Sequence, residues 1–198
     1  MITDQQLKWL QQTTDLFMRY GIKSLTMDDI ARELGISKKT LYQFVENKDD
    51  LVLKMLKQHI EHEKEMCNRE FSNAENAIEE IMQVIEMNSQ QLRQMKTNIV
   101  HDLQRYHRNA WEIVMEHQRG FMYDIVRRNL ERGISEGLYR TEINVDILTR
   151  LHIITSFQLF DEALFPSSDY SKVAVFKEYL VHYLHGIVSE KGKQYLTR

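Results

Sequence analysis

The sequence of 198 residues holds one cysteine, one proline and seven glycines. With Cys67 alone there is no internal disulfide framework, which fits a reducing compartment. With so few helix breakers, long stretches run without the residues that end helices, and ten methionines and a 42% hydrophobic fraction supply helix-compatible core residues. No run of about 18 apolar residues is present, so no membrane span is read. The opening segment carries Asp4, Gln5, Gln6, Lys8 and Asp15 among its apolar positions, so no signal peptide is read there. The expected class is a cytoplasmic all-α protein. Charge is also short of one sign: 26 Lys plus Arg face 29 Asp plus Glu, for a net charge of -3. Residues 1–55 carry eight basic and eight acidic residues, so a polycationic coat is excluded and any contact with nucleic acid depends on where charge is displayed.

Catalytic signatures are missing as well. There is no H-E-x-x-H helix, no phosphate-cradling glycine loop and no serine elbow, so neither an enzyme nor a cofactor is expected. His59, His62, Glu63 and Cys67 share one helix at ligand-like spacing, yet a polar helix face makes the same pattern and the segment offers no obvious fourth ligand. His182 and His185 make a weaker pair, and His101, His107 and His117 offer at most polar contacts to a ligand. No metal is expected.

What is present is a series of short helices with start and stop signals. Thr3 with Gln6 makes a capping box ahead of Leu7, Leu10, Thr14, Phe17 and Met18, and Gly21 ends that helix. Thr26 with Asp29 makes a second box before Ile30, Ala31 and Leu34, and Gly35 ends it after two turns. Ser37 caps a third helix over about 38–45, with Leu41 and one or both of Phe44 and Val45 inward. Asn47 caps a fourth, with Asp49 and Asp50 in its first turn and Leu51, Val52, Met55, Leu56 and Ile60 as its stripe. Two-turn helices are unstable alone, so the pair around Gly35-Ile36 must be braced by its neighbours. Leu34-Gly35-Ile36-Ser37 has the length and chemistry of a helix-turn-helix corner, whose second helix enters the DNA major groove. Lys38, Lys39, Thr40, Tyr42 and Gln43 are the polar positions left outward: ammoniums for phosphate or guanine, hydroxyls for phosphate, an amide for adenine. On pattern alone, a helical scaffold or protein-interaction module that does not bind DNA is the alternative.

Tyr20-Gly21-Ile22, Thr26-Met27-Asp28-Asp29-Ile30-Ala31, Leu34-Gly35-Ile36-Ser37-Lys38-Lys39-Thr40-Leu41-Tyr42 and Asn47-Lys48-Asp49-Asp50-Leu51 together resemble the DNA-binding domain of a TetR-family transcriptional regulator over about residues 5–55. The resemblance implies a homodimeric, ligand-responsive regulator, usually a repressor, with a helix-turn-helix domain at 1–50 and a helical effector-binding and dimerisation domain at 51–198. By position, Thr26 resembles the family's phosphate-touching cap of the second helix. Lys38, Thr40, Tyr42 and Gln43 resemble the groove-facing set, and Lys48 the phosphate-contacting lysine. Lys39 stands where the family commonly has a small residue and places an extra charge near the groove. Val45 stands where Phe is common.

Farther on, Ser72 with Glu75 reads as a cap for a helix whose stripe is Ile78, Ile81, Met82 and Ile85, continued from Gln90 to about Tyr106 by Leu92, Met95, Ile99 and Leu103. A long helix from about Arg108 runs towards Gly133, and Glu131 to Arg140 resembles the end of the family's seventh helix. Asn144 caps a helix over about 145–164 that is apolar on more than one face. After Pro166 a last helix covers about 170–189. Two such helices from each of two copies make a four-helix interface under two-fold symmetry. Met82, Ile85, Met95, Ile99, Leu103, Trp111, Met115 and Met122 are the expected lining for a largely apolar small-molecule effector, because unbranched Met side chains fill irregular space. The expected partners are therefore a double-stranded DNA operator, a second copy of the chain and that effector.

Overall fold

The computed structural model describes residues 2–94 and 99–196, whose regular elements are helices joined by turns and short loops. In order they are α1 (Asp4–Tyr20), α2 (Met27–Glu33), α3 (Lys38–Phe44), α4 (Lys48–Asn73), α5 (Ala77–Gln94), α6 (Ile99–Tyr106), α7 (Arg108–His117), a π-helical turn (Gln118–Met122), α8 (Tyr123–Ser135), α9 (Val145–Gln158), α10 (Lys172–Ile187) and α11 (Glu190–Leu196). One isolated antiparallel bridge joins Tyr139 to Val188. No described helix is long and apolar enough to cross a membrane. The chain forms an all-α fold with an N-terminal helix-turn-helix bundle and a larger helical remainder. Its packing divides it into two compact units, Met1–Glu65 with Gln94–His117, and Met66–Arg93 with Gln118–Arg198.

In the first unit the local signals set the helix ends. Thr3 and Gln6 form a reciprocal capping box, as do Thr26 and Asp29, and the Ser37 hydroxyl accepts the Thr40 N–H. The Asn47 Oδ1 accepts the Asp50 N–H at 2.9 Å and starts α4. Gly35 sits at φ +66°, a conformation that side chains resist, and this lets the Ile36 N–H return to the Ala31 carbonyl at 3.0 Å. Leu10, Phe17, Ile22, Ile30, Leu41, Leu51 and Val52 are fully buried in one core, to which α6 adds Ile99 and Leu103. Val45 is buried and Phe44 half-buried, its ring edge-on to Trp9 at 6.0 Å.

The second unit surrounds a core of Ala77, Ile78, Ile81, Leu130, Tyr139, Leu180, Leu184 and Ile187. A polar network runs through it. Glu80, buried, accepts from Arg132 Nη1 at 2.5 Å and from Asn129 Nδ2 at 2.6 Å. The Tyr139 hydroxyl donates to the Ala77 carbonyl at 3.0 Å. Burial pushes the Tyr139 phenol far above its ordinary range. Gly133 permits this packing, since a Cβ there would lie 2.0 Å from the Tyr139 ring.

Several expected boundaries are corrected here. Position 72 lies inside α4, so the expected start there is replaced by Asn76, whose Oδ1 accepts the N–H groups of Ile78 and Glu79 at 3.0 Å each. Met82, expected on the inward stripe, is 51% exposed while Ile78, Ile81 and Ile85 are buried. The long helix from Arg108 is interrupted by the π turn before α8 begins. Helix α9 stops at Gln158 and not near 164. Its end tightens through Phe160 N–H to Phe157 O and Asp161 N–H to Gln158 O, and the Asp161 carboxylate takes the Ala163 N–H at 2.8 Å, an alternative that competes with helix continuation. The last long helix is shorter than 170–189, beginning after the Ser171 cap, and α11 follows it unanticipated.

Candidate nucleic-acid interface

The α2-turn-α3 pair presents one polar face. On α3, Leu41 turns inward, while Lys38, Lys39, Tyr42 and Gln43 are exposed and Thr40 is half-buried. These four exposed residues at i, i+1, i+4 and i+5 occupy one side of the helix, set by its 3.6-residue period. Lys38 Nζ lies 2.8 Å from the Asp28 carboxylate on α2, and that contact holds its ammonium above the usual lysine range. The Thr40 hydroxyl is 2.8 Å from that of Ser37. Lys39 has no ion pair among the described residues.

The flanks converge on the same end of the unit. Thr26, exposed, caps α2, and its hydroxyl and backbone N–H both engage Asp29. Those hydrogen bonds, with Arg32 beside the carboxylate, draw the Asp29 pKa down to about 2. Lys48 Nζ donates to the Leu25 carbonyl at 2.5 Å, next to Thr26, and its half-burial lowers its pKa. Thr26, Lys38, Lys39, Thr40, Tyr42, Gln43 and Lys48 thus all belong to the first unit; Thr26, Lys38, Lys39, Tyr42 and Gln43 are exposed, Thr40 and Lys48 half-buried.

The proposed effector lining is distributed differently. Ile99 and Leu103 are buried in the first unit's core, with Trp111 packed against it and Met115 half-buried. Ile85 belongs to the second unit's core, Met122 is half-buried in the π turn, and Met82 faces solvent. Met95 lies outside the described residues. Neither unit gathers the set by itself.

Two histidine contacts were not anticipated. His107, buried, places Nδ1 2.6 Å from Asp49, and His117 Nε2 lies 3.1 Å from Glu63. His59 is half-buried, and desolvation lowers its pKa. Among the described residues no group of three His, Cys, Asp or Glu is placed to hold a metal ion. Asp102 on α6 was missed too: its Oδ2 accepts the N–H groups of Ile22 at 3.1 Å and Lys23 at 3.0 Å. These contacts join positions 54 to 80 residues apart, which no local spacing signals.

A short helix pair with a polar second helix, braced by a first and a fourth helix, is the arrangement of a helix-turn-helix domain. Residues 10–55 match the model of the bacterial regulatory proteins of the tetR family. That match falls on the helix-turn-helix segment of the first unit, where the chain is similar to the TetR family of transcriptional regulators. It is 32% identical over 103 residues to the uncharacterized HTH-type transcriptional regulator YvaF of Bacillus subtilis (strain 168), a match covering 52% of this chain and about half, 54%, of that relative. In fold it resembles a TetR-family regulator from Agrobacterium tumefaciens, with 19% identity and a TM-score of 0.75 over 91% of this chain and 96% of that one. A transcriptional regulator from Saccharomonospora viridis, solved in complex with choline, gives 18% identity and a TM-score of 0.75 over 92% and 97%.

Proposed function

We propose that this chain is a ligand-responsive, sequence-specific DNA-binding repressor that acts as a homodimer on a palindromic operator. The observation that carries the reading is the exposed face of α3, where Lys38, Lys39, Tyr42 and Gln43 stand together beside Thr26 and Lys48. Gln43 reads a base edge, the lysines and hydroxyls hold phosphate, and the segment 1–50 is the reading domain. Pairing two copies sets two recognition helices about 34–36 Å apart, one turn of duplex.

The dimer is supported by the second unit. On α9, Ile147, Leu151 and Ile154 are each more than half exposed at i, i+4 and i+7, and Val181 on α10 is 44% exposed. An apolar stripe of this kind suits an isologous interface in which both copies use the same face. Leu151→Glu with Ile154→Glu is expected to give a monomer that no longer retains a two-half-site duplex.

Residues 51–198 are assigned effector binding as well as dimerisation, with Met82, Ile85, Met95, Ile99, Leu103, Trp111, Met115 and Met122 as the candidate contacts. That the Saccharomonospora viridis regulator was solved with choline supports a small-molecule effector on this fold. An effector that favours the DNA-incompetent state by about 1–3 kcal/mol lowers operator affinity about 5- to 150-fold. The test is selection of bound duplex from a random library by the purified protein, with and without metabolite extract. A recovered palindrome with one-turn spacing supports the reading. A protein that stays monomeric and retains no duplex at low salt refutes it in favour of a helical interaction module.

A further inference from the structure

We propose that Lys23, Arg105 and Tyr106 form a second contact to DNA, gripping the phosphate backbone outside the half-site read by α3; this rests on the DNA-binding function proposed above. All three residues belong to the first unit, the one that carries the reading helices. Lys23 lies in the turn between α1 and α2, three residues before Thr26. Arg105 and Tyr106 end α6. The turn and the helix end are bound together: the Asp102 carboxylate takes the Ile22 and Lys23 backbone N–H groups, and Lys23 Nζ donates to the Tyr106 hydroxyl at 3.2 Å. The Lys23 ammonium is 4.9 Å from the Tyr106 ring centroid and the Arg105 guanidinium 5.8 Å from the same centroid.

The place of this cluster follows from two further contacts. Lys48 at the start of α4 donates to Leu25, in the same turn as Lys23, and Asp49 meets His107, the residue after Tyr106. The start of α4, the turn before α2 and the end of α6 therefore share one end of the unit, beside the two residues proposed to touch phosphate. Many surface cations are paired along their own helix, whereas this cluster, like Lys39 on α3, is not. Arg32, Lys54, Lys64, Arg108, Arg127, Arg150 and Lys193 each meet a carboxylate three or four residues away. Lys23 and Arg105 form no ion pair among the described residues, and Asp102, three residues before Arg105, is turned to backbone N–H groups with a side chain only 17% exposed. Two uncompensated cations held over an exposed phenol supply charge and hydrogen-bond donors to phosphate oxygens without reading a base.

The test uses the full-length protein and its selected operator, in a long duplex with native flanks and in one trimmed to the two half-sites. Affinity is followed by fluorescence anisotropy across a salt series for wild type, Lys23→Ala/Arg105→Ala and, as a milder surface change, Arg105→Gln. Each lost phosphate contact flattens the plot of log affinity against log salt by about 0.9, so a dimer losing two per protomer flattens by about 3 to 4 on the long duplex, and Arg105→Gln by about half that. The selected sequence stays the same, and on the trimmed duplex the variants and wild type coincide. Equal slopes for wild type and both variants on the long duplex overturn the second contact while leaving the reading head intact, as does a difference of the same size on the trimmed duplex. A wild-type protein that binds no duplex overturns both.

Discussion

In the first unit, α1, α2 and α3 each begin where a Thr or Ser oxygen accepts a backbone N–H three residues on, and the two-turn helices between Thr26 and Phe44 owe their lengths to those caps and to Gly35. In the second unit, the ends of α5 and α9 follow from Asn76 and Asp161, whose roles emerge only among competing signals, and the interior holds a charged network instead of a uniform apolar core. The contrast separates two ways of making a helical unit specific. One relies on local hydrogen bonds that a short sequence window contains. The other relies on buried polar partners, Glu80 with Arg132 and Tyr139 with Ala77, brought together from 52 and 62 residues apart. A reading head that must present a fixed face to DNA gains from the first, because its helices are too short to be set by packing alone.

Perturbations should therefore cost most in the second unit's interior. Arg132→Met leaves the buried Glu80 carboxylate without its cation, and a loss of about 3 kcal/mol in urea-unfolding stability is expected. A loss under about 1 kcal/mol would mean that the network is not a source of specificity there. Next in size is the pH response of His152, whose Nδ1 is 3.0 Å from the Tyr179 hydroxyl and whose burial lowers its pKa from 6.5 to about 4. The unfolded chain takes up its proton near 6.5 and the folded chain only near 4, so stability holds above pH 6.5, falls between 6.5 and 4 and levels off below. His152→Gln should flatten the melting temperature across that window, and an unchanged slope would assign the response to other groups such as His59.

Smaller effects belong to the caps and the surface. Thr26→Ala removes the hydroxyl half of the α2 box, leaving only the backbone N–H to Asp29, and should cost about 1 kcal/mol, with Thr26→Ser restoring most of it. If Ser restores stability but not operator affinity, the Thr methyl group matters to DNA contact separately from capping. Arg127→Ala on α8 breaks an exposed pair with Glu131 and should change stability by less than about 0.5 kcal/mol, which would mark the lower end of the comparison.

Much of the first unit was legible because the relevant distances along the chain are three or four residues. The capping boxes, the Gly35 corner, the Asn47 cap and the inward Leu41 all follow from periodicity and turn chemistry. The outward polar set on α3 follows for the same reason: once Leu41 is inward, Lys38, Lys39, Tyr42 and Gln43 have one side left. The Asp102 contacts to Ile22 and Lys23, the meeting of His107 with Asp49 and the clustering of Arg105, Tyr106 and Lys23 were not legible, since each joins segments that only folding brings together. The effector set shows the same limit from the other side. A continuous Met and Ile stripe marks apolar faces but not which neighbour each one meets, and Met82 faces solvent while Ile85, three residues on, is buried.

By itself, the order of residues determined an all-helical chain with a reading head of short capped helices, because capping and helical periodicity act within one or two turns. Tertiary structure alone decided which carboxylates meet Arg132, His107 and His117, and how α6 is tied to the turn before α2. Those outcomes depend on burial and on partners distant along the chain, where the free energy of a polar group is set by what surrounds it.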